Sequence, residues 1–303
     1  MTSDSRTSLD PRVLDRISGL DLKARAIVEG YISGLHRSPF HGFSVEFAEH
    51  REYVPGDDPR FLDWKVYGKT DRLYIKRYEE ETNLEAHLIV DGSESMNYRG
   101  SDESLPSKFE YARMAAAALA YVVTGQQDGA GLVLFDERVR LRLPARSGQG
   151  HLRNIVHELD KYGPQKSTGL GRALAEVAEV VRRRGLVILF SDLMDDMKEV
   201  SRGLRQLRHR GHEVLLFHIL AEDEVTFPFQ RMARFEGMED ETTLTADPAS
   251  LRDAYLAEVK AFRKNLRRVC TANRIDLIEV ASNTNLGVVL AAYLARRASR
   301  RRA

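Results

Sequence analysis

Thiol chemistry is almost missing from this chain: its 303 residues include one cysteine, Cys270. One cysteine excludes an intramolecular disulfide and a thiolate metal cluster, and it fits a reducing compartment. Long apolar runs are missing too. The longest candidate, Met114 to Val123, is short and alanine-rich, whereas a membrane-spanning helix needs roughly 20 apolar residues. The opening "MTSDSRTSLDPR" lacks the apolar core of a signal peptide. A cytoplasmic protein with no membrane partner is expected. Charge of one sign is absent as well: the formal net charge is +1, so bulk charge predicts neither nucleic-acid nor membrane binding. No P-loop, H-E-x-x-H or G-x-S-x-G occurs, which excludes the commonest nucleotide-hydrolysing, zinc-protease and serine-hydrolase signatures.

What is present reads as a folded globular protein, with 43% hydrophobic and 30% charged residues. The length suits one large domain or two ordinary ones. A helical start is expected from Asp10-Pro11 onward, divided at Gly19 into two short helices. Residues 40–81 change character, with Gly, Pro and aromatic residues between short alternating pieces such as "FSVEFAE" and "RLYIKRYEE". From residue 84 onward, strands and helices alternate. "LEAHLIV", "GAGLVLF", "VRLRLP", "LVILFSD", "HEVLLFHIL" and "IDLIEV" read as strands. "KFEYARMAAAALAYVVTGQQ", "GHLRNIVHELDKY", "GRALAEVAEVVRRRG", "MKEVSRGLRQLRHRG", "PASLRDAYLAEVKAFRKNLRRVCTANR" and "NLGVVLAAYLARRA" read as helices, the third closing at Gly185. This alternation predicts an α/β fold: a doubly wound, mostly parallel sheet with helices on both faces. The strands around residues 129–145 supply an antiparallel edge.

In such sheets ligands sit at the carboxyl ends of the strands. Asp91 closes "LEAHLIVD", followed by Ser93 and Ser95, and Asp192 closes "LVILFSD". Between them "STGLGRAL" carries Thr168 in a Gly-flanked loop before a helix. If these strands are parallel, two carboxylates and three hydroxyls open on one edge. Hard cations such as Mg²⁺ take oxygen ligands. Neutral hydroxyls leave such an ion electrophilic, able to accept an anionic oxygen from outside. Read alone, D-x-S-x-S is an Asx turn with a helix cap; the ordered trio of motifs argues for a site.

Together "DGSESM", "STGLGRAL" and "FSD" resemble the metal-ion-dependent adhesion site of a von Willebrand factor A domain. The resemblance implies that Ser93, Ser95 and Thr168 contact Mg²⁺ or Mn²⁺, directly or through water. It implies that Asp91 and Asp192 lie among the ligands or just behind them, and that a protein partner supplies an acidic side chain. Upstream, "EFAEHREYVPGDDPRFLDWKVYGKTDRLYIKRYEEE" resembles the signature of the domain of unknown function 58 family, with its core at Pro55, Gly56, Asp57, Asp58, Arg60, Asp63 and Trp64. With the downstream motifs that resemblance spans residues 30–290. It implies a MoxR-type AAA+ ATPase as partner. The expected division is an N-terminal extension over 1–83, a von Willebrand factor A-like domain over 84–295 and a basic tail over 296–303.

The remaining candidates read as structure. Asp57, Asp58 and Asp63 suit a turn with local ion pairs. Trp64 reads as a buried anchor, Cys270 as a buried inert thiol, and His209 and His212 as solvated. The tail "ARRASRRRA" reads as a solvated end, and no interleaved aromatics support a nucleic-acid platform. Two other functions stay open at this point: a metal-dependent phosphatase or other hydrolase with Asp91 as nucleophile, and a scaffold with an empty site. Against the hydrolase, Ser93 stands where an acid–base carboxylate is needed.

Overall fold

The computed structural model describes residues 19–35, 50–54, 62, 64–76, 84–164, 169–238 and 243–300. It divides into two units, one within residues 38–83 and a main unit formed by the rest. Helix α1 (Leu20–Leu35) belongs to the main unit. The extension expected over 1–83 is therefore not one body. The reason is an apolar stripe: Leu20, Ala24 and Ile27, spaced four and three apart, are buried in the main core. Asp21 adds a polar tie, accepting a 2.6 Å hydrogen bond from the Tyr121 hydroxyl.

The small unit pairs β1 (His50–Glu52) antiparallel with β2 (Tyr74–Lys76), with α2 (Trp64–Thr70) between them in the chain. Trp64 is 63% exposed and sits edge-on to Tyr67, so it is not the expected buried anchor. Asp57, Asp58 and Asp63 lie outside the described residues.

The main unit is the expected doubly wound sheet. Its strands are β3 (Glu85–Asp91), β4 (Gly129–Phe135), β5 (Val139–Arg146), β6 (Leu186–Ser191), β7 (Glu213–Leu220) and, after a small hairpin of β8 (Ala233–Glu236) with β9 (Thr243–Ala246), β10 (Asp276–Ala281). The order is β10-β7-β6-β3-β4-β5, all parallel except β5, which runs antiparallel to β4 at the edge. Side chains alternate between the two faces. Leu88, Val90, Leu132, Ile188 and Phe217 enter one core with α1, α3 (Lys108–Gly125), α4 (Gln149–Lys161) and α9 (Leu286–Arg300). Ile89, Val133, Leu189 and Leu216 enter the other with α5 (Leu170–Val180), α6 (Met197–His209) and the Leu266–Cys270 end of α8 (Pro248–Ala272). Both faces are covered, so these strands need continuous apolar runs. The alanines of α3, from Ala115 to Ala118, are fully buried and let that helix lie close to the sheet.

Three local expectations change. Helix α5 ends at Val180, ahead of "RRRG". Gly185 is required by close approach: a Cβ there would lie 2.2 Å from the Glu85 carbonyl oxygen. His212 is buried, with Nε2 3.2 Å from the Val181 carbonyl oxygen, because it leads directly into β7. Helix α9 continues through Arg300, absorbing most of the expected tail. Cys270 is buried as expected, and burial, with Glu279 nearby, pushes its thiol up to about 12. No helix among the described residues is long and apolar enough to cross a membrane.

Candidate functional site

The chain runs from β3 outward to β4 and β5, then returns to the other side of β3 to build β6, β7 and β10. The order therefore reverses between β3 and β6, where Val90 pairs with Phe190. Such a switch point opens a crevice at the carboxyl ends of its two strands. The next residues on those strands are Asp91 on β3 and Ser191–Asp192 after Phe190, and all three are fully buried.

Each oxygen of Asp91 is held. Oδ1 accepts from the Ser93 backbone N–H at 3.0 Å, which makes the Asx turn, and Oδ2 accepts from the Ser191 hydroxyl at 2.6 Å. Ser191 thereby ties the end of β6 to the end of β3. Its oxygen also accepts from the Leu193 N–H at 2.9 Å. The Ser93 and Ser95 hydroxyl oxygens lie 3.1 Å apart at the start of a 3₁₀ turn, Glu94–Asn97. Ser93 is fully buried and Ser95 is half-buried, so the pair opens from the interior toward solvent. Gly92 leaves room for a neighbour: a Cβ there would lie 2.3 Å from the Tyr162 ring. Burial first, then the charges of Asp136 and Asp91, push the Tyr162 phenol up to about 12.

Asp192 sits on a turn that no glycine relieves. Leu193 has φ of +57°, a left-handed conformation unusual for a leucine. Its buried side chain and the bond from its N–H to Ser191 hold it there. Asp192 Oδ1 accepts from the Met194 N–H at 3.2 Å, and Oδ2 accepts from the Lys108 ammonium at 2.7 Å. Lys108 is 1% exposed and also donates to Glu224 Oε1 at 2.7 Å. Glu224 belongs to α7 (Glu222–Thr226), the short helix after β7. Burial pulls the lysine pKa down, but Asp192 and Glu224 outweigh it and the pKa is raised. Asp91 moves in the neutral direction. Burial, then the charge of Asp192, push its carboxyl up to about 7 against the opposing bonds from Ser191 and Ser93.

Asp91, Ser93 and Ser95 thus form one cluster, and Asp192 stands on the neighbouring strand end with its charge felt by Asp91. Thr168 lies outside the described residues. Its neighbour Gly169 donates a 3.4 Å bond to the Asp136 carbonyl, at the end of β4. A Cβ on Gly169 would lie 2.8 Å from the Glu137 carbonyl oxygen, so this close approach needs glycine at 169.

Among the described residues no group of three or more His, Cys, Asp or Glu side chains is gathered as for a metal. A cation here would depend on the Ser93 and Ser95 hydroxyls beside Asp91. That all-oxygen set, with a buried carboxylate destabilised by a second one, fits a hard ion such as Mg²⁺ or Mn²⁺.

The residues that sequence reasoning missed are Lys108, Glu224, Ser191, Tyr162 and Asp136. Asp136 is a third strand-end acid and binds the Arg140 Nε at 2.7 Å. Lys108 left a signal. It is the first residue of α3, and a cation there opposes the helix dipole. Such a local contradiction marks a residue held by something distant.

Comparison with known proteins places the chain. The uncharacterized protein Rv1480 of Mycobacterium tuberculosis is 28% identical over 265 residues, 86% of this chain and 81% of that protein. Among solved structures, an aerotolerance-related membrane protein from Bacteroides fragilis is 16% identical, with a TM-score of 0.47 over 68% of this chain and 96% of that one. The SpRpn10 VWA domain is 11% identical, with a TM-score of 0.39 over 68% of this chain and 93% of that one. Residues 49–265 match the family described as "Protein of unknown function DUF58", and this chain belongs to that family.

Proposed function

We propose that this chain is a non-enzymatic protein-binding module that uses Mg²⁺ or Mn²⁺ at the carboxyl edge of its sheet to capture an acidic side chain. The observation that carries this reading is the Asp91–Ser93–Ser95 cluster at the switch point, with two hydroxyl oxygens 3.1 Å apart beside a buried carboxylate. Asp91, Ser93 and Ser95 would hold the ion, with Thr168 as a further oxygen and Asp192 as a nearby charge. The bound ion would supply a Lewis-acidic position that an external carboxylate completes. Met194, 52% exposed and two residues beyond Asp192, offers apolar surface beside that position for a protein partner. Ser93 also supports binding over phosphoester chemistry, because a hydroxyl stands two residues after Asp91 where a general acid would be needed.

The family resemblance supports a MoxR-type AAA+ ATPase as partner, with the module acting as its adaptor in chaperone-like assembly or maturation of other proteins, in the cytoplasm. The test is capture of the purified MoxR-type ATPase from the same organism by the immobilised chain. Capture in Mg²⁺ that is lost in EDTA and in the Ser93→Ala/Ser95→Ala double variant is expected. Capture indifferent to both would move the interface away from this edge. No capture under any condition would remove the ATPase as partner.

A further inference from the structure

Lys108 is a buried charge that the reading above leaves without a role. Its ammonium lies between two carboxylate oxygens, each at 2.7 Å, one of them on Asp192, whose charge acts on Asp91 in the site that is to receive a cation. Position alone does not favour it there. It opens α3, where backbone N–H groups already point positive charge at it. Its side chain is 1% exposed, so water does not offset the cost of burial. What holds it is Asp192 on one side and Glu224 on the other. Asp192 is also engaged at both oxygens: one accepts from Lys108 and the other from the Met194 N–H.

We propose that Lys108 is an internal counter-cation of the site. It takes up the charge of Asp192, so a divalent ion at Asp91, Ser93 and Ser95 meets one fewer uncompensated negative charge. The ion is held more weakly than the two aspartates alone would hold it. It keeps more of its positive charge for an anionic ligand from outside. Lys108 is thus a specificity-determining residue: it tilts the site from firm retention of an ion toward recognition of a carboxylate. Glu224 shares the lysine and so connects α7 to that balance. This inference rests on the proposed cation site.

Mn²⁺ alone is the probe, titrated into the full chain and followed by the electron paramagnetic resonance signal of the free ion. Each variant's thermal unfolding midpoint is taken with and without Mn²⁺. Lys108→Met is expected to bind Mn²⁺ about tenfold more tightly, because a repelling unit charge has left a poorly screened site. Asp192→Asn is expected to bind more weakly. The Lys108→Met/Asp192→Asn double variant restores the charge sum and is expected within about threefold of wild type, as is Lys108→Arg. Should Lys108→Met fail to fold, the double variant and Lys108→Arg carry the test. A double variant that loses Mn²⁺ would show Asp192 to be an indispensable direct ligand and overturn the proposal. So would binding that Lys108→Met leaves unchanged or weakens. Binding to Lys108→Met but not to wild type would support the role of Lys108 and overturn only resting occupancy by the ion. No binding by either would overturn the cation site itself, and this inference with it.

Discussion

At the scale of single residues, the buried His87 contributes to the chain's response to acid. His87 is 8% exposed within β3, and burial pulls its pKa down to about 4, against the pull of Glu85. An unfolded histidine titrates near 6.5. Between these values the unfolded chain binds the extra proton, so the stability His87 contributes is full above about pH 6.5 and is lost as pH falls toward about 4. The shift corresponds to at most about 3 kcal/mol. Urea denaturation at pH 7 and pH 4.5 is expected to show a steeper loss for wild type than for His87→Gln. Equal slopes would mean that His87 is not held neutral. Glycines make a second residue-scale prediction. Gly185→Ala places a methyl group against the Glu85 carbonyl, a backbone atom that cannot swing away. A loss of about 2 kcal/mol or more is expected in the same denaturation experiment. Gly150→Ala, with open space around its Cβ position, serves as the neutral control.

At the scale of elements, helix α3 carries both packing and position. Its N-cap Ser107 accepts from the Glu110 N–H, while the Glu110 carboxylate accepts from the Ser107 N–H. Ser107→Ala is expected to cost about 1 kcal/mol in stability. Because Lys108 follows the cap directly, the same change is also expected to tighten Mn²⁺ binding, in the direction of Lys108→Met. An effect on stability without any effect on the ion would show that Lys108 is placed by its carboxylates alone. The elements of the main unit were legible because their physics is local. "LVILFS" is apolar on both faces and can only be an interior strand, and "MKEVSRGLRQLRH" shows its buried stripe at Val200, Leu204 and Leu207. Asp91 and Asp192 were legible as strand ends for the same reason. The convergence of Lys108 with Glu224 was not, since 116 positions separate them and only the strand order brings them together. Nor was the burial of His212, whose ring meets the Val181 carbonyl from 31 positions away.

At the scale of the whole molecule, chain order and packing part at α1, which belongs to the main unit although the 38–83 unit stands between it and the rest of that unit in the chain. Helix α1 fills the main core with Leu20, Ala24 and Ile27, whereas residues 38–83 form a unit of their own. A chain beginning at residue 84 is therefore expected to unfold at a clearly lower temperature than one in which 38–83 is replaced by a flexible linker and α1 is kept. Ile27→Ala in the full chain is expected to cost about 2–5 kcal/mol, the range for a fully buried side chain of this size. Equal melting of the two shortened chains would mean that α1 contributes nothing to the core. The placement of α1 also has a consequence in time. It packs on α3 and on α9, so the first and last described helices of the chain meet on one face of the sheet. A ribosome releases α1 well before α9. That face stays open until α9 has left the ribosome, with its alanine-lined helix and the apolar stripe of α1 unsealed until then.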